Sequence, residues 1–301
     1  MHDVIIVGAG PAGITAAIYA VRKHLKTLVI SKDVGGMASW SSDVENYTGY
    51  QFITGPELVQ KFEHHLESYH VELREGEEVT DVSKDGDVFH VRTKGNMFYS
   101  KTVILCTGRL PKLLNIPGEQ EFKGKGITYC ANCDAPLFKD KDVAVIGGGN
   151  AALDAVLLLT KIANKITIIT NTPKFTGDPI MSEKVLALHN VDVFFNAAVK
   201  AITGEKFVKS MIFSVKGKER TVPVEGIFIE IGAMPSSSYC SIVAKEKNEE
   251  IVVDKENITN IPGLFAAGDV TDIFEKQIII AAGEGAKAAL KAFEYLAKRK
   301  D

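Results

Sequence analysis

Within one short stretch, Cys130-Ala131-Asn132-Cys133-Asp134, the chain brings together two thiols and a carboxyl group. Two cysteines separated by two residues can close a small disulfide ring without rearranging the backbone. Such a pair cycles between dithiol and disulfide, and its thiolate is readily activated. Half of a zinc site has the same spacing, but zinc requires a second pair of ligands. Cys106 and Cys240 stand alone, and no two histidines are spaced His-x-x-x-His. Redox chemistry is therefore favoured over metal binding. Asp134 has two readings that position alone leaves open. Its carboxyl group could exchange the proton that thiol–disulfide chemistry requires, or it could cap a helix.

The elements that must hold these residues appear twice. Val4–Val7 is a β-branched run that leads into Gly8-Ala9-Gly10-Pro11-Ala12-Gly13, a helical stretch to about Lys23, and a second run from Thr27 to Ile30. Strand, glycine turn, helix and strand form the unit in which a pyrophosphate lies on a helix N-terminus. Val143–Ile146 begins the same pattern again, with Gly147-Gly148-Gly149-Asn150-Ala151-Ala152, a helix from Leu153 to about Ala163, and Ile166–Ile169. Ala152 replaces the third glycine, where only a small side chain is required. One such motif is weak evidence, but two with correct flanks indicate two dinucleotides.

Between the units, Val88–Thr93 and Met97–Ser100 flank Lys94-Gly95-Asn96 as a hairpin, and Thr102–Cys106 is a further strand ending in Thr107-Gly108. Pro111, Pro117 and Gly118 mark a linker. A strand-rich section from Val191 to Val224 closes on Gly226–Gly232. Leu264–Asp269 and a helix from Gln277 to about Lys298 are assigned back to the first unit. The expected fold is α/β, with two Rossmann-like dinucleotide-binding domains, the second inserted into the first. Residues 1–115 and 246–301 form one domain, and 118–240 form the other, which carries the cysteine pair.

Composition excludes several classes. Among 301 residues, 46% are hydrophobic and 24% charged, with a net charge of −3. Nothing suggests a nucleic-acid or membrane surface, since Lys298-Arg299-Lys300 is offset by Asp301. No apolar run approaches the roughly 20 residues of a membrane span. A strand starting at Val4 leaves no room for a signal peptide, so a soluble cytoplasmic protein is expected. His64, His65 and His70 read as solvated positions on or beside a helix opened by a capping box at Thr54 and Glu57. Trp40, Tyr47 and Tyr50 read by default as ordinary packing, with a place lining a bound cofactor or a partner surface as the alternative.

Taken together, Gly8–Gly13, Cys130–Asp134, Val145–Asn150 and Ala266-Ala267-Gly268-Asp269-Val270 resemble the low-molecular-weight thioredoxin reductases. They are also similar to the flavoprotein subunit of alkyl hydroperoxide reductase without its N-terminal extension. The resemblance covers essentially the whole chain. It implies that FAD is held by Gly8, Gly10, Ala12, Gly13, Gly35, Gly36, Met37, Asn46, Thr107, Gly108, Gly268, Asp269, Gln277 and Ile278. It implies a nicotinamide dinucleotide, NADPH or NADH, at Gly147, Gly149, Asn150 and Ala151. Cys133 would face the flavin, Cys130 would attack the partner's disulfide, and Asp134 would serve as acid/base. Electrons would pass to a thioredoxin- or glutaredoxin-like protein, with rotation of the inserted domain about linkers near 115–118 and 238–245. A homodimer is also implied.

This chain departs from the pattern at several positions. Met37 replaces a Gln, and Lys276 replaces the Arg of an Arg-Gln pair. After Ile169, NADPH users carry His-Arg-Arg and a further Arg, while NADH users carry an acidic residue. Thr170-Asn171-Thr172-Pro173-Lys174-Phe175-Thr176 is neither, so the donor preference is open and ferredoxin is a competing donor.

Overall fold

The structure, a computed structural model, describes residues 1–41 and 44–299. Lys300 and Asp301, the end of the basic run, lie outside the described residues. The first unit comprises β1 (His2–Ala9), α1 (Pro11–Arg22) and β2 (Thr27–Val34). Val4–Val7 are buried and pair in parallel with β2, as a strand covered on both faces should. A short 3₁₀ turn at Gly36–Trp40 precedes α2 (Gly55–Glu67). In its capping box the Thr54 hydroxyl accepts from the Glu57 amide, and the Glu57 carboxylate accepts from the Thr54 amide. β3 (Glu72–Glu75), β4 (Val79–Asp85), β5 (Val88–Thr93) and β6 (Met97–Leu105) complete the sheet in the order β3-β2-β1-β6-β5-β4.

The two strands expected on either side of Lys101 are one. β6 runs antiparallel to β5 through Ser100 and parallel to β1 through Leu105. The polar stretch Ser100-Lys101-Thr102 looks like a break, but both hydroxyl residues are buried and satisfied. Ser100 Oγ donates to the Thr102 carbonyl at 2.8 Å, and Thr102 Oγ1 donates to that of Asp3 at 2.7 Å.

β7 (Arg109–Pro111) carries the chain out of the first domain. The inserted domain contains β8 (Ile127–Thr128), the single turn α3 (Ala131–Asp134), β9 (Asp142–Ile146), α4 (Asn150–Leu159) and β10 (Lys165–Ile169). α5 (Pro179–Leu186), β11 (Val191–Phe194) and the antiparallel strands β12 (Ala197–Gly204), β13 (Val208–Val215) and β14 (Lys218–Pro223) follow. β15 (Gly226–Ile229) completes a parallel sheet of order β11-β10-β9-β15-β8. β16 (Ala233–Pro235) returns antiparallel to β7.

β17 (Leu264–Ala266) then pairs in parallel with β6, and α6 (Ile278–Lys298) packs on α1. This is an α/β fold of two dinucleotide-binding domains, the second inserted into the first. Cys240 and Val243 are buried in the core of the first sheet beside Ile251. The chain is therefore back in the first domain directly after β16, ahead of the expected 240–246 junction. Among the described residues, no helix is long and apolar enough to cross a membrane.

The α1–α6 contact depends on a missing side chain. A Cβ at Gly285 would fall well inside van der Waals distance of the Ala12 carbonyl. Gly285→Val should destabilise the protein by about 1–3 kcal/mol through overpacking. This would be read as a lower Tm, and an unchanged Tm would contradict that close approach.

Candidate active site at the domain junction

β1 ends where its neighbours lie on opposite sides, β2 on one and β6 on the other, the switch point at which ligands bind in such sheets. Gly8 turns there with φ +102, so close to the Cys106 carbonyl that no Cβ fits. α1 begins with Gly10 as N-cap, without a capping side chain and without an acidic residue in its first turn. The amides of Ala12 and Gly13 have no intrahelical acceptor, which makes this end of α1 a site for an anion.

A cavity of about 690 Å³ opens at this point. Gly8, Gly10 and Ala12 form one part of its wall, with Gly36 and Met37 beside them. Thr107, Gly108, Asp269, Gln277 and Ile278 form another part. Four expected positions act from behind this wall. Gly13 sits against Gly8 and leaves no room for a Cβ, and Gly35 donates to the Ala9 carbonyl at 2.8 Å. Asn46 Nδ2 donates to Gln277 Oε1 at 3.0 Å, and Gly268 turns with φ +77 against Ala12.

Both cysteines also line this cavity and are joined as a disulfide, with Cα atoms 5.3 Å apart. Cys130 also borders a small crevice that it shares with Asp134, Trp40 and Lys123. Thr128 organises this corner: its hydroxyl donates to the buried Asp134 carboxylate and accepts from the Cys130 amide at 3.1 Å. On the opposite side, Glu230 Oε1 accepts from the Ala131 amide at 3.0 Å. Burial pushes the Glu230 carboxyl up to about 7, against the Ala131 bond and reinforced by Asp154.

The cavity wall also carries buried charge. Burial raises the Asp269 carboxyl above its ordinary range, while Lys276 and Arg109 act in the opposite direction. Glu250 is paired with both cations, at 3.1 Å from Lys276 and 3.4 Å from Arg109. Lys276 thus keeps a charge where the resemblance implies Arg. Thr107 Oγ1 donates to the Ser236 carbonyl at 2.6 Å and tethers the two crossings.

The second glycine turn repeats the first in another place. Gly147 has φ +143, and α4 starts with Gly149 as an uncapped N-cap. Asn150 Oδ1 accepts from the Asp178 amide at 2.7 Å, and Ala151 is exposed. None of Gly147, Gly149, Asn150 or Ala151 lines the cavity that holds the disulfide. Beyond β10, the Thr170 and Thr172 hydroxyls bond each other at 2.8 Å, and Thr172 donates to the Lys174 carbonyl. No guanidinium or carboxylate stands between 170 and 177.

Residue patterns do not point to Glu230, Thr128, Arg109 or Glu250. Glu230 lies 99 positions from its Ala131 partner, and only the echo of Thr102–Gly108 in Gly226–Gly232 hints at a site there. Trp40 borders both the cavity and the small crevice, and its ring lies under Lys123 of the inserted domain, with Nζ 2.8 Å from the centroid.

The sequence profile of the pyridine nucleotide-disulphide oxidoreductase family matches residues 2–290. An NADH dehydrogenase of Bacillus subtilis (strain 168) is 41% identical over 298 residues, covering 98% of this chain and 58% of that protein. An alkyl hydroperoxide reductase subunit of Staphylococcus aureus (strain MRSA252) is 40% identical over 300 residues, covering 98% of this chain and 59% of that protein. The chain thus spans less than two thirds of the length of these relatives. The crystal structure of thioredoxin reductase from Streptococcus pyogenes MGAS5005 superposes with TM-score 0.95 at 34% identity, covering 99% of each chain.

Trp40 is the sole tryptophan, so its contact with Lys123 can be read directly. Lys123→Gln removes a cation–π interaction worth about 1–2 kcal/mol when desolvated. The Trp40 emission should shift to the red as the two domains part at this point. An unchanged spectrum would contradict the contact.

Proposed function

Because the chain belongs to the pyridine nucleotide-disulphide oxidoreductase family, we propose that it is an FAD-dependent thioredoxin-disulfide reductase. It takes electrons from NAD(P)H and passes them through Cys130 and Cys133 to a thioredoxin- or glutaredoxin-like protein. One observation carries this reading: the disulfide and the first glycine turn line a single cavity. The wall fits FAD, with a helix N-terminus for the pyrophosphate at Gly8, Gly10, Ala12 and Gly13. Gly36, Met37, Thr107, Gly108, Asp269, Gln277 and Ile278 surround the remainder, with Gly35, Asn46 and Gly268 in support. Bound FAD supplies the hydride and two-electron chemistry that side chains lack.

The chain's own residues then carry out thiol–disulfide exchange. The Cys130 thiolate attacks the partner's disulfide, forming a mixed disulfide and releasing one partner thiolate. The Cys133 thiolate attacks Cys130 Sγ, which restores the Cys130–Cys133 bond and frees the partner as a dithiol. Asp134, held by Thr128 in the crevice beside Cys130, takes the proton released as Cys133 ionises and passes it to the departing thiolate. Cys133 borders only the larger cavity, which supports its role as the sulfur facing the cofactor.

The nicotinamide site would be formed by Gly147, Gly149, Asn150 and Ala151 at the N-terminus of α4, outside that cavity. Reduction of the cofactor by this site requires the inserted domain to turn about β7 and β16, which would break the Trp40–Lys123 contact. The glycine turn fits a dinucleotide, but the Thr170–Thr176 segment offers no guanidinium for a 2′-phosphate. That gap is the observation favouring ferredoxin as an alternative donor.

A second reading, electron supply to a peroxide-reducing system through a small disulfide protein, is favoured by the likeness to the alkyl hydroperoxide reductase of Staphylococcus aureus. Thiol trapping separates the two. With Cys133→Ser, Cys130 should accumulate a mixed disulfide with a thioredoxin- or glutaredoxin-like protein. Capture of a peroxide-system relay would favour the second reading, and capture of no protein would contradict both. Cys130→Ser should lower disulfide reductase turnover roughly 10³-fold or more, and turnover within a few-fold of the parent would contradict the exchange mechanism.

A further inference from the structure

A carboxyl group outside the expected set sits between the disulfide and the second glycine turn. Glu230 follows β15 at the C-terminal edge of the parallel sheet. Its backbone is so close to Gly147 that a Cβ there would strike the Glu230 carbonyl. Its amide donates to the Ile146 carbonyl at 2.8 Å. These contacts aim the side chain across the sheet edge at α3, where Oε1 takes the Ala131 amide, the first after Cys130. Among the described residues, no Lys, Arg or His forms an ion pair with Glu230. The charged group acting on it from α4 is Asp154, a like charge. α3 contributes Cys133 and Asp134, with Cys130 as its N-cap, and Ile146 at the end of β9 and the Gly147 after it carry no charge.

We propose that Glu230 is a positioning residue whose proton controls the Cys130–Cys133 dithiol: neutral, it holds the Ala131 amide without opposing a thiolate, and ionised, it holds the same amide while opposing one. This rests on the reading of Cys130 and Cys133 as the redox pair. Burial brings its titration to about 7, so the change falls within the working range of thiol–disulfide exchange. A second negative charge beside a thiol disfavours the thiolate. Above neutrality the ionised Glu230 therefore lowers the thiolate fraction that pH alone would give, and below neutrality this opposition is absent. The other two cysteines do not obscure this effect. Cys106 and Cys240 are buried, and burial raises both thiols, Cys240 to about 11.

The test is the rate of alkylation by iodoacetamide, measured against pH on the dithiothreitol-reduced holoprotein, with mass spectrometry locating the label. Glu230→Gln keeps the acceptor for the Ala131 amide and removes the charge. It should react about threefold or more faster than the parent at pH 8 and at the same rate at pH 5.5. The parent profile should carry an extra inflection near neutrality that Glu230→Gln lacks. A parent profile without that inflection overturns the proposal, even if the variant fails to fold. So does a Glu230→Gln profile that superposes on the parent, or one displaced equally at both pH values, which would mark a structural role. Glu230→Ala should match Glu230→Gln at pH 8. If only the Ala variant departs from the parent, the amide contact alone matters, and the proposal fails. Absence of label at Cys130 and Cys133 after reduction would instead refute the redox pair itself, and with it this inference.

Discussion

Everything at the junction depends on one small antiparallel ladder, Arg109–Pro111 against Ala233–Pro235, through which both crossings between the domains pass. It is bounded by two hydrogen bonds of 2.9 Å, Lys112 N–H to the Gly232 carbonyl and Ser236 N–H to that of Gly108. Pro111 and Pro235 donate nothing to it. The inserted domain is therefore attached along a single short and poorly bonded line. Its orientation must be fixed by contacts elsewhere, of which the Trp40–Lys123 stack is one. Arg109 reinforces the ladder from within, donating to the Ala233 carbonyl at 3.1 Å while paired with Glu250 of the first domain.

That attachment suspends the disulfide over the first domain's cavity, and the glycine turns determine what the cavity can accept. At Gly8 and Gly147 the chain leaves a strand with positive φ and passes within contact of a neighbouring strand's carbonyl, so no side chain intervenes between sheet edge and helix N-terminus. The same geometry occurs at two places that do not share a cavity. On the proposed function the two electron transfers would be separated by movement, because the disulfide lines the cavity and the second turn does not.

The parts legible in the sequence are those encoded locally. β-branched runs feeding glycine turns, the Cys-x-x-Cys spacing and the Thr54–Glu57 capping box each specify structure within a few residues, and each is present. Features that depend on distant partners are not legible. The Ser100–Thr102 stretch reads as a gap between two strands because its hydroxyls look polar in sequence, yet they are satisfied by the backbone carbonyls of Thr102 and Asp3. The return crossing is expected beyond Cys240, but burial of Cys240 and Val243 beneath the first sheet draws it back to β16. Glu230 and Lys123 cannot be found by pattern, since a lone charged residue gains meaning only from the element folded against it.

If FAD occupies the cavity that Cys130 and Cys133 line, as proposed, the flavin and the disulfide must exchange electrons there. The decisive measurement is an anaerobic reductive titration of the FAD-loaded protein, following flavin absorbance against added electrons. The parent should take up about four electrons per flavin, two for the cofactor and two for the disulfide, and the Cys130→Ser variant about two. Equal uptake of about two electrons by both proteins would mean that the disulfide does not communicate with the flavin, and would contradict electron exchange within the cavity.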